Sequence, residues 1–300
     1  MSSAETTANP VLVTGAGGFV GTHLLELLGE EAVPAEADVT DAEAVADAVR
    51  ETEPRAVVHL AAHSSVAESW SSPATTWEVN AVGTVNILEA VRRRRPEARV
   101  LVVSTEQVYG RAKQLPTPES ARVAPISPYA ASKAAAEVAC RQAAENGVDV
   151  VVARSFQHEG PGRDERFAVG SWTSQIAELE LAGGGALRVG NLDVERDITD
   201  VRDVCRAYRL LLDPSVAAGV YNVASGKTVP LSRLVELLVG MAQVAVTVEQ
   251  DPGRLRRADI STLCGDSSKL RQATGWEPEI PLEQTLADTL AAARASRVGV

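Results

Sequence analysis

Val11 to Leu28, VLVTGAGGFVGTHLLELL, reads as a short apolar strand, a glycine turn and a helix. Gly15, Gly18 and Gly21 stand three apart between the strand and the helix. Glycine there permits a tight turn, close approach of another backbone and close packing of helix on strand. Outward from this stretch, the apolar runs AVVHLAAH (Ala56 to His63), RVLVVST (Arg99 to Thr105) and VDVVVARS (Val148 to Ser155) alternate with two helical stretches. These are TTWEVNAVGTVNILEAVRR (Thr75 to Arg93) and SPYAASKAAAEVACRQAAE (Ser127 to Glu145). Short apolar strands separated by helices describe a doubly wound, Rossmann-type α/β fold, with a parallel sheet covered on both faces.

VDVVVARS reads as a candidate sixth strand, and GVYNVASG (Gly219 to Gly226) as a segment that returns a strand to the sheet. Glycine, proline and charge rise in HEGPGRDERF (His158 to Phe167), where a smaller C-terminal α/β lobe begins. The expected division gives residues 1–155, with 193–225 returning, to a dinucleotide-binding domain, and 156–192 plus 226–300 to a substrate-binding lobe. The sequence contains neither internal repeats nor low-complexity linkers.

Composition limits the function classes. The chain has 300 residues, is 45% hydrophobic and carries a net charge of −11. That is enough chain for a substantial core, and such a surface repels nucleic acid and anionic membranes. Arg92 to Arg95 follow ILEAV and precede Pro96, so they read as a solvated helix end favoured by the helix dipole. No apolar run approaches the roughly 20 residues that span a bilayer, and the polar start MSSAETTANP is unlike a signal peptide. A cytoplasmic protein is the expectation. Cys140, Cys205 and Cys264 are odd in number and widely spaced, which suggests buried thiols rather than a disulfide framework or a metal site.

The glycine turn opening a helix is a place for a pyrophosphate, held by backbone N–H groups and the positive end of the helix dipole. Downstream, only EEAVPAEADVTD separates the first helix from the next, which leaves room for one short strand. Glu36 and Asp38 are its candidate carboxylates for an adenosine ribose, and no arginine is placed for a 2′-phosphate. NAD and NADP both stay open. In SPYAASK, Tyr129 and Lys133 are four apart and share one helix face. A neighbouring ammonium favours phenolate, which lets a tyrosine exchange protons with a hydroxyl near neutral pH.

With TGAGGFVG, HLAAH, Asn80 in EVNAVGT, STEQVYG (Ser104 to Gly110) and SPYAASK in order, the chain resembles the extended short-chain dehydrogenase/reductases over essentially its whole length. The resemblance implies Thr105 as catalytic hydroxyl, Tyr129 as acid/base and Lys133 as its partner. It implies a cofactor, NAD or NADP, held by Gly15, Gly17, Gly18, Phe19, Val20, Gly21, Asp38, Val39, Leu60, Ala61, Ala62, Asn80 and Phe156, together with Tyr129 and Lys133.

The second half narrows the resemblance. ARSFQHEGPGR, LRVGNLDVERDITDVRDV, VYNVASGK, RLRRADI and LCGDSSKLRQATGWEPEIPLEQTLADTL are similar to the branch of GDP-mannose 4,6-dehydratases and GDP-6-deoxy-4-keto-mannose reductases. That implies a nucleotide-diphosphate sugar whose phosphates Arg196 and Arg256 clamp. It also implies substrate contacts from His63, Ser64, Gln157, His158, Val189, Asn191 and Asp259. Gln157 stands where relatives usually carry asparagine.

Within this family the dehydratase base is a glutamate two positions after the catalytic threonine. Here that position is Gln107, and an amide accepts no proton at the pH of the reaction. Glu106 occupies the place of the acid. If the strand continues through both residues, they face opposite ways. The expectation is therefore reduction of a 4-keto-6-deoxy sugar, with an NAD-recycling dehydratase or epimerase as the alternative. A non-catalytic NAD(P)-binding sensor is a reading of another class, and it has no use for Tyr129 and Lys133. The resemblance further implies a homodimer, built as a four-helix bundle from residues 80–92 and 129–144 of each copy.

Overall fold

The computed structural model describes residues 9–254 and 260–298. They divide into two units, Met1–Val108 with Ser127–Arg154 and Cys205–Tyr221, and Tyr109–Ile126 with Ser155–Val204 and Asn222–Val300.

The first unit opens with β1 (Val11–Thr14), α1 (Phe19–Leu28), β2 (Ala32–Ala35), α2 (Ala42–Thr52) and β3 (Ala56–His59). Then come α3 (Val66–Ser71), α4 (Pro73–Trp77), α5 (Gly83–Arg94), β4 (Arg99–Thr105), α6 (Pro128–Glu145) and β5 (Val150–Ser155). VDVVVARS is thus the fifth strand of the chain rather than the sixth, because one short strand, β2, fills the whole adenosine segment. A six-stranded sheet has the order β2-β1-β3-β4-β5-β9, where β9 is Gly219–Val223, the segment expected to return to it. β1 pairs in parallel with β2 and β3, and β3 with β4.

Alternation along the strands places Leu12, Val57, Val100, Val102, Val150 and Val152 in one core cluster. Val45 and Val49 of α2, Ile87, Leu88 and Val91 of α5, and Cys140 and Ala143 of α6 cover that face. Burying each of the Val, Leu and Ile side chains contributes roughly 1.5–3 kcal/mol.

Asp41 caps α2 by accepting from Glu43 N and Ala44 N, and Ser127 caps α6 by accepting from Ala130 N, with Pro128 in the first turn. Ahead of α5, Glu78–Val82 form a π-helical turn, an extra-residue bulge that the helical periodicity does not reveal. Arg92, Arg93 and Arg94 lie in the last turn of α5, where Arg92 and Arg93 pair with Glu89.

The second unit contains β6 (Gln157–Glu159), α7 (Ala168–Ala182), β7 (Gly185–Val189) and β8 (Glu195–Asp200). After α8 (Val201–Leu211) and β9 follow β10 (Thr228–Pro230), α9 (Leu231–Gly240), β11 (Val246–Gln250), β12 (Thr262–Leu263), α10 (Ser268–Thr274) and α11 (Leu282–Val298). β8 is the hub, paired with β6, β10 and β12, while β7 pairs with β11. Trp172, Ile176, Leu187, Leu234, Leu286 and Leu290 belong to its own core. Residues 109–126, which the sequence reading assigns to the dinucleotide domain, belong to this unit. Tyr109 donates to Asn222 Oδ1 at 2.7 Å, and Thr117 N donates to Cys264 O at 2.8 Å. Cys140, Cys205 and Cys264 are all buried, and none of them is in a disulfide. Among the described residues, no helix is long and apolar enough to cross a membrane.

Candidate active site

Each of the three glycines has a distinct physical reason. Gly15 has φ +67°, and a Cβ on it would lie 2.6 Å from Ala61 N, so backbone meets backbone there. A Cβ on Gly21 would lie 2.4 Å from Gly15 O. Gly18 is the N-cap of α1, donates its N–H to Gly15 O at 3.0 Å, and brings no side-chain cap, unlike Asp41 and Ser127. Gly17, beside it, is exposed and has no heavy atom within 4 Å of its Cβ position. A helix start without a side-chain cap or an acidic residue in its first turn, next to an open glycine, fits a pyrophosphate. Phe19 and Val20 are half-buried in that first turn.

After β2, Asp38 is exposed and its Oδ1 accepts from Thr40 N at 2.9 Å and Thr40 Oγ1 at 2.8 Å. Those two bonds hold its carboxyl below the usual range. Val39 is buried, and a Cβ on Gly83 would lie 2.8 Å from Val39 Cγ2.

The loop after β3 is fixed by buried polar groups. Thr14 Oγ1 lies 2.8 Å from His59 Nδ1, and His59 Nε2 lies 3.1 Å from Thr84 Oγ1. Thr84 donates its own proton to Asn80 O, so the network assigns the His59 proton to Nε2 and leaves Nδ1 to accept from Thr14. Burial, aided by the charge of Lys133, lowers His59 to about 3 and keeps it neutral. Thr14 Oγ1 in turn accepts from Ala61 N at 3.2 Å. Leu60, Ala61 and Ala62 are half-buried along this loop.

Asn80, fully buried in the π-helical turn, accepts from His63 N at 2.8 Å and donates to Ser132 Oγ at 2.9 Å. Ser132 donates to Tyr129 O at 2.8 Å, so Asn80 ties the loop after β3 to the first turn of α6. His63 Nδ1 lies 2.8 Å from Thr76 Oγ1, and Ser64 is exposed.

On α6, Tyr129 is half-buried and Lys133 is buried, with Nζ donating to Val103 O of β4 at 2.9 Å. Desolvation lowers Lys133 to about 8, opposed by the charge of the Glu137 carboxylate. β4 ends at Thr105, whose hydroxyl donates to Glu106 Oε2 at 2.8 Å while its oxygen accepts from Gln107 N at 3.2 Å.

One expectation about this stretch is corrected. Glu106–Tyr109 form a 3-10 turn, so the two-faced alternation of an extended strand does not reach Glu106 and Gln107. Their side chains meet: Gln107 Nε2 donates to Glu106 Oε1 at 2.8 Å, and Glu106 is 8% exposed.

Three further residues escape the motif reading. Ser104 Oγ donates to Glu137 Oε1 at 2.5 Å, and Arg154 donates to both oxygens of the same carboxylate. The signals were an arginine inside the apolar run VDVVVARS and a glutamate four residues after Lys133.

In the second unit, Gln157 Nε2 donates to Glu159 Oε1 at 2.9 Å, and His158 Nδ1 lies 2.9 Å from Phe156 O. Burial first, then the charge of Arg163, lowers His158 to about 4, so it is neutral. Phe156 is buried against Gly265, whose Cβ position lies 2.5 Å from Phe156 Cε2. Arg196 is buried, with Nη1 donating to Glu195 O and Ile260 O, both at 2.8 Å. Asn191 Oδ1 accepts from Asp193 N, and Val189 lies in the hydrophobic core of the unit. Arg256 and Asp259 lie outside the described residues.

The model of the GDP-mannose 4,6 dehydratase family matches residues 29–289. A GDP-6-deoxy-D-mannose reductase of Pseudomonas aeruginosa is 39% identical over 287 residues, covering 92% of this chain and 94% of that protein. A GDP-mannose 4,6-dehydratase of Yersinia enterocolitica is 30% identical over 286 residues, covering 85% of this chain and 77% of that protein. Among solved structures, RMD from Pseudomonas aeruginosa complexed with NADPH superposes with a TM-score of 0.89 at 37% identity, covering 96% of this chain and all of that one.

Proposed function

The chain belongs to the GDP-mannose 4,6-dehydratase family, and from that premise we propose that it is an NAD(P)H-dependent oxidoreductase that reduces the 4-keto group of a GDP-linked 4-keto-6-deoxy sugar. The observation that carries the choice of reaction is Gln107, an amide one residue from the buried carboxylate of Glu106 and donating to it. An amide takes no proton from a sugar carbon, so the base for elimination is missing from that position.

Bound NAD(P)H would supply the hydride for the carbonyl carbon. Gly15, Gly17, Gly18 and the start of α1 would hold its pyrophosphate, and Asp38 a ribose hydroxyl. Tyr129 gives its phenolic proton to the carbonyl oxygen, which becomes the product hydroxyl. Lys133 stabilises the resulting phenolate and binds the second ribose. Thr105 turns its hydroxyl from Glu106 to the carbonyl oxygen and polarises it. The charge developing on that oxygen is where such donors lower the barrier most. On the substrate side, His63, Ser64, Gln157, His158 and Asn191 contact the nucleotide sugar, and Arg196 with Arg256 grips its diphosphate.

The protein acts as a cytoplasmic homodimer. Val82 in the turn before α5, Val85 on α5 and Val138 on α6 are 50%, 47% and 55% exposed, an apolar surface on the helices expected to pair between copies.

The test is a coupled measurement on the purified protein with GDP-4-keto-6-deoxymannose. One NADPH or NADH consumed per sugar reduced supports the reading. Tightly bound NAD released on denaturation, with no net consumption of added cofactor, overturns it in favour of a recycling dehydratase or epimerase.

A further inference from the structure

Lys133 and Glu137 occupy successive turns of α6, four residues apart and so on one face, as Tyr129 and Lys133 do. Two adjacent residues of β4 grip those two turns. Val103 O accepts from Lys133 Nζ at 2.9 Å, and Ser104 Oγ donates to Glu137 Oε1 at 2.5 Å. The next residue of the strand is Thr105.

From β5, Arg154 closes the set with a two-pronged contact, Nε to Glu137 Oε1 at 2.9 Å and Nη2 to Oε2 at 2.6 Å. Ser104, Glu137 and Arg154 are each at most 5% exposed. A paired guanidinium and carboxylate fixes orientation more tightly than any single bond.

We propose that Glu137 and Arg154 are positioning residues for the catalytic lysine: the pair locks α6 to β4 and β5 one turn beyond Lys133. This rests on the reductase reading for the role of Lys133.

The charges around the lysine explain why this carboxylate matters. His59 of β3 is neutral, the Cys140 thiol on α6 is pushed up to about 12 and stays protonated, and Tyr129 is the acid itself. Glu106, beyond the end of β4, is bonded to Thr105 and Gln107. Arg154 adds a second buried cation. Removing the Glu137 charge therefore leaves two buried cations without their carboxylate, and the lysine sheds its proton more easily.

The experiment measures kcat/KM for keto-sugar reduction, and NADPH affinity by fluorescence, across neutral to alkaline pH. Glu137→Gln keeps the shape and removes the charge. Its alkaline limb moves towards acid by about one pH unit, so kcat falls about tenfold above pH 8 and about twofold at pH 7, with KM for the sugar changed less than about twofold. Arg154→Met moves the limb the other way. Glu137→Asp, charged but shorter, returns the limb towards its original place whatever its melting temperature.

Because breaking a buried pair can prevent folding, the double variant Glu137→Met with Arg154→Met is included, since joint apolar replacement of such pairs is often tolerated. In a folded protein its limb lies to the acid side of the wild type but less far than that of Glu137→Gln, because Glu137 acts on Lys133 from the same helix face while Arg154 mainly offsets that carboxylate. Limbs that stay at the wild-type pH in every folded variant, with only melting temperatures changed, overturn the proposal. A wild type that binds NADPH but leaves the keto sugar unreduced overturns the reductase reading alone, and the NADPH-binding curves then decide the inference.

Discussion

Gln107 donates its side-chain amide to Glu106 Oε1 at 2.8 Å within a 3-10 turn, while Thr105 donates to the other oxygen of the same carboxylate. The carboxylate is thus held by both its neighbours, and the group beside it is a donor. Gln107→Glu replaces that donor with a second carboxylate, which raises the proton affinity of one of the two and creates a base next to Thr105. The variant is expected to exchange the proton on sugar carbon 5 with solvent, read as deuterium uptake by mass spectrometry of the GDP-sugar, and to reduce the keto sugar about tenfold more slowly. Absence of deuterium uptake would show that Gln107 is not what separates reduction from elimination in this chain.

Tyr129→Phe removes the proton donor and leaves the ring. The kcat for reduction is expected to fall about 10²- to 10⁴-fold, the usual contribution of a placed general acid, with NADPH affinity nearly unchanged. Steady-state kinetics and a fluorescence titration on one preparation separate the two. A variant that keeps a tenth of the activity would assign the proton to another group.

Lys133, lowered to about 8 by burial, imposes two pH dependences. Its ammonium is lost above that value, so reduction is expected to decline along an alkaline limb near pH 8. Stability moves the other way. Between about 8 and the ordinary 10.5, the unfolded chain binds the proton and the folded one does not, so stability rises with pH across that window. The penalty is fully present below it and is on the order of 3 kcal/mol. Lys133→Met is expected to lose the activity and to flatten the alkaline rise in melting temperature.

His59 and His158 act at the other end of the scale. Both are buried and neutral, lowered to about 3 and about 4 from an ordinary 6.5. Each folded-state value lies below the unfolded one, so the stability they support is present above pH 6.5 and is lost as pH falls towards the folded values. Melting temperature is expected to drop progressively from about pH 6.5 downwards. For His59 the full loss is on the order of 5 kcal/mol. His59→Gln, which keeps polar contact to Thr14 and Thr84 without titrating, should reduce that slope; an unchanged slope would mean that other groups govern the acid limb.

Much of the site could be read in the chain because its parts are local. Tyr129 and Lys133 share a helix face by spacing alone, and the glycine turn sits between the strand and helix it joins. Thr105 stands at the end of an apolar run. The relation of Glu106 to Gln107 was not legible, because strand alternation stops at Thr105 and the backbone tightens into a 3-10 turn through both residues. Asn80 was found by motif, but its π-helical turn was not, since a one-residue bulge leaves the surrounding periodicity intact.

By itself the sequence determined the layered α/β fold, the glycine-bounded start of α1 and the pair Tyr129 and Lys133, for all of these follow from spacings within one element or one turn. Tertiary structure decided what holds them. Arg154 and Ser104 both bond the Glu137 carboxylate because β5, α6 and β4 are neighbours in space, and Lys133 reaches Val103 O for the same reason. Burial, a property of the packed molecule, lowers Lys133 to about 8 and keeps His59 neutral. Desolvation acts through everything that surrounds a group, and no short window of residues carries that information.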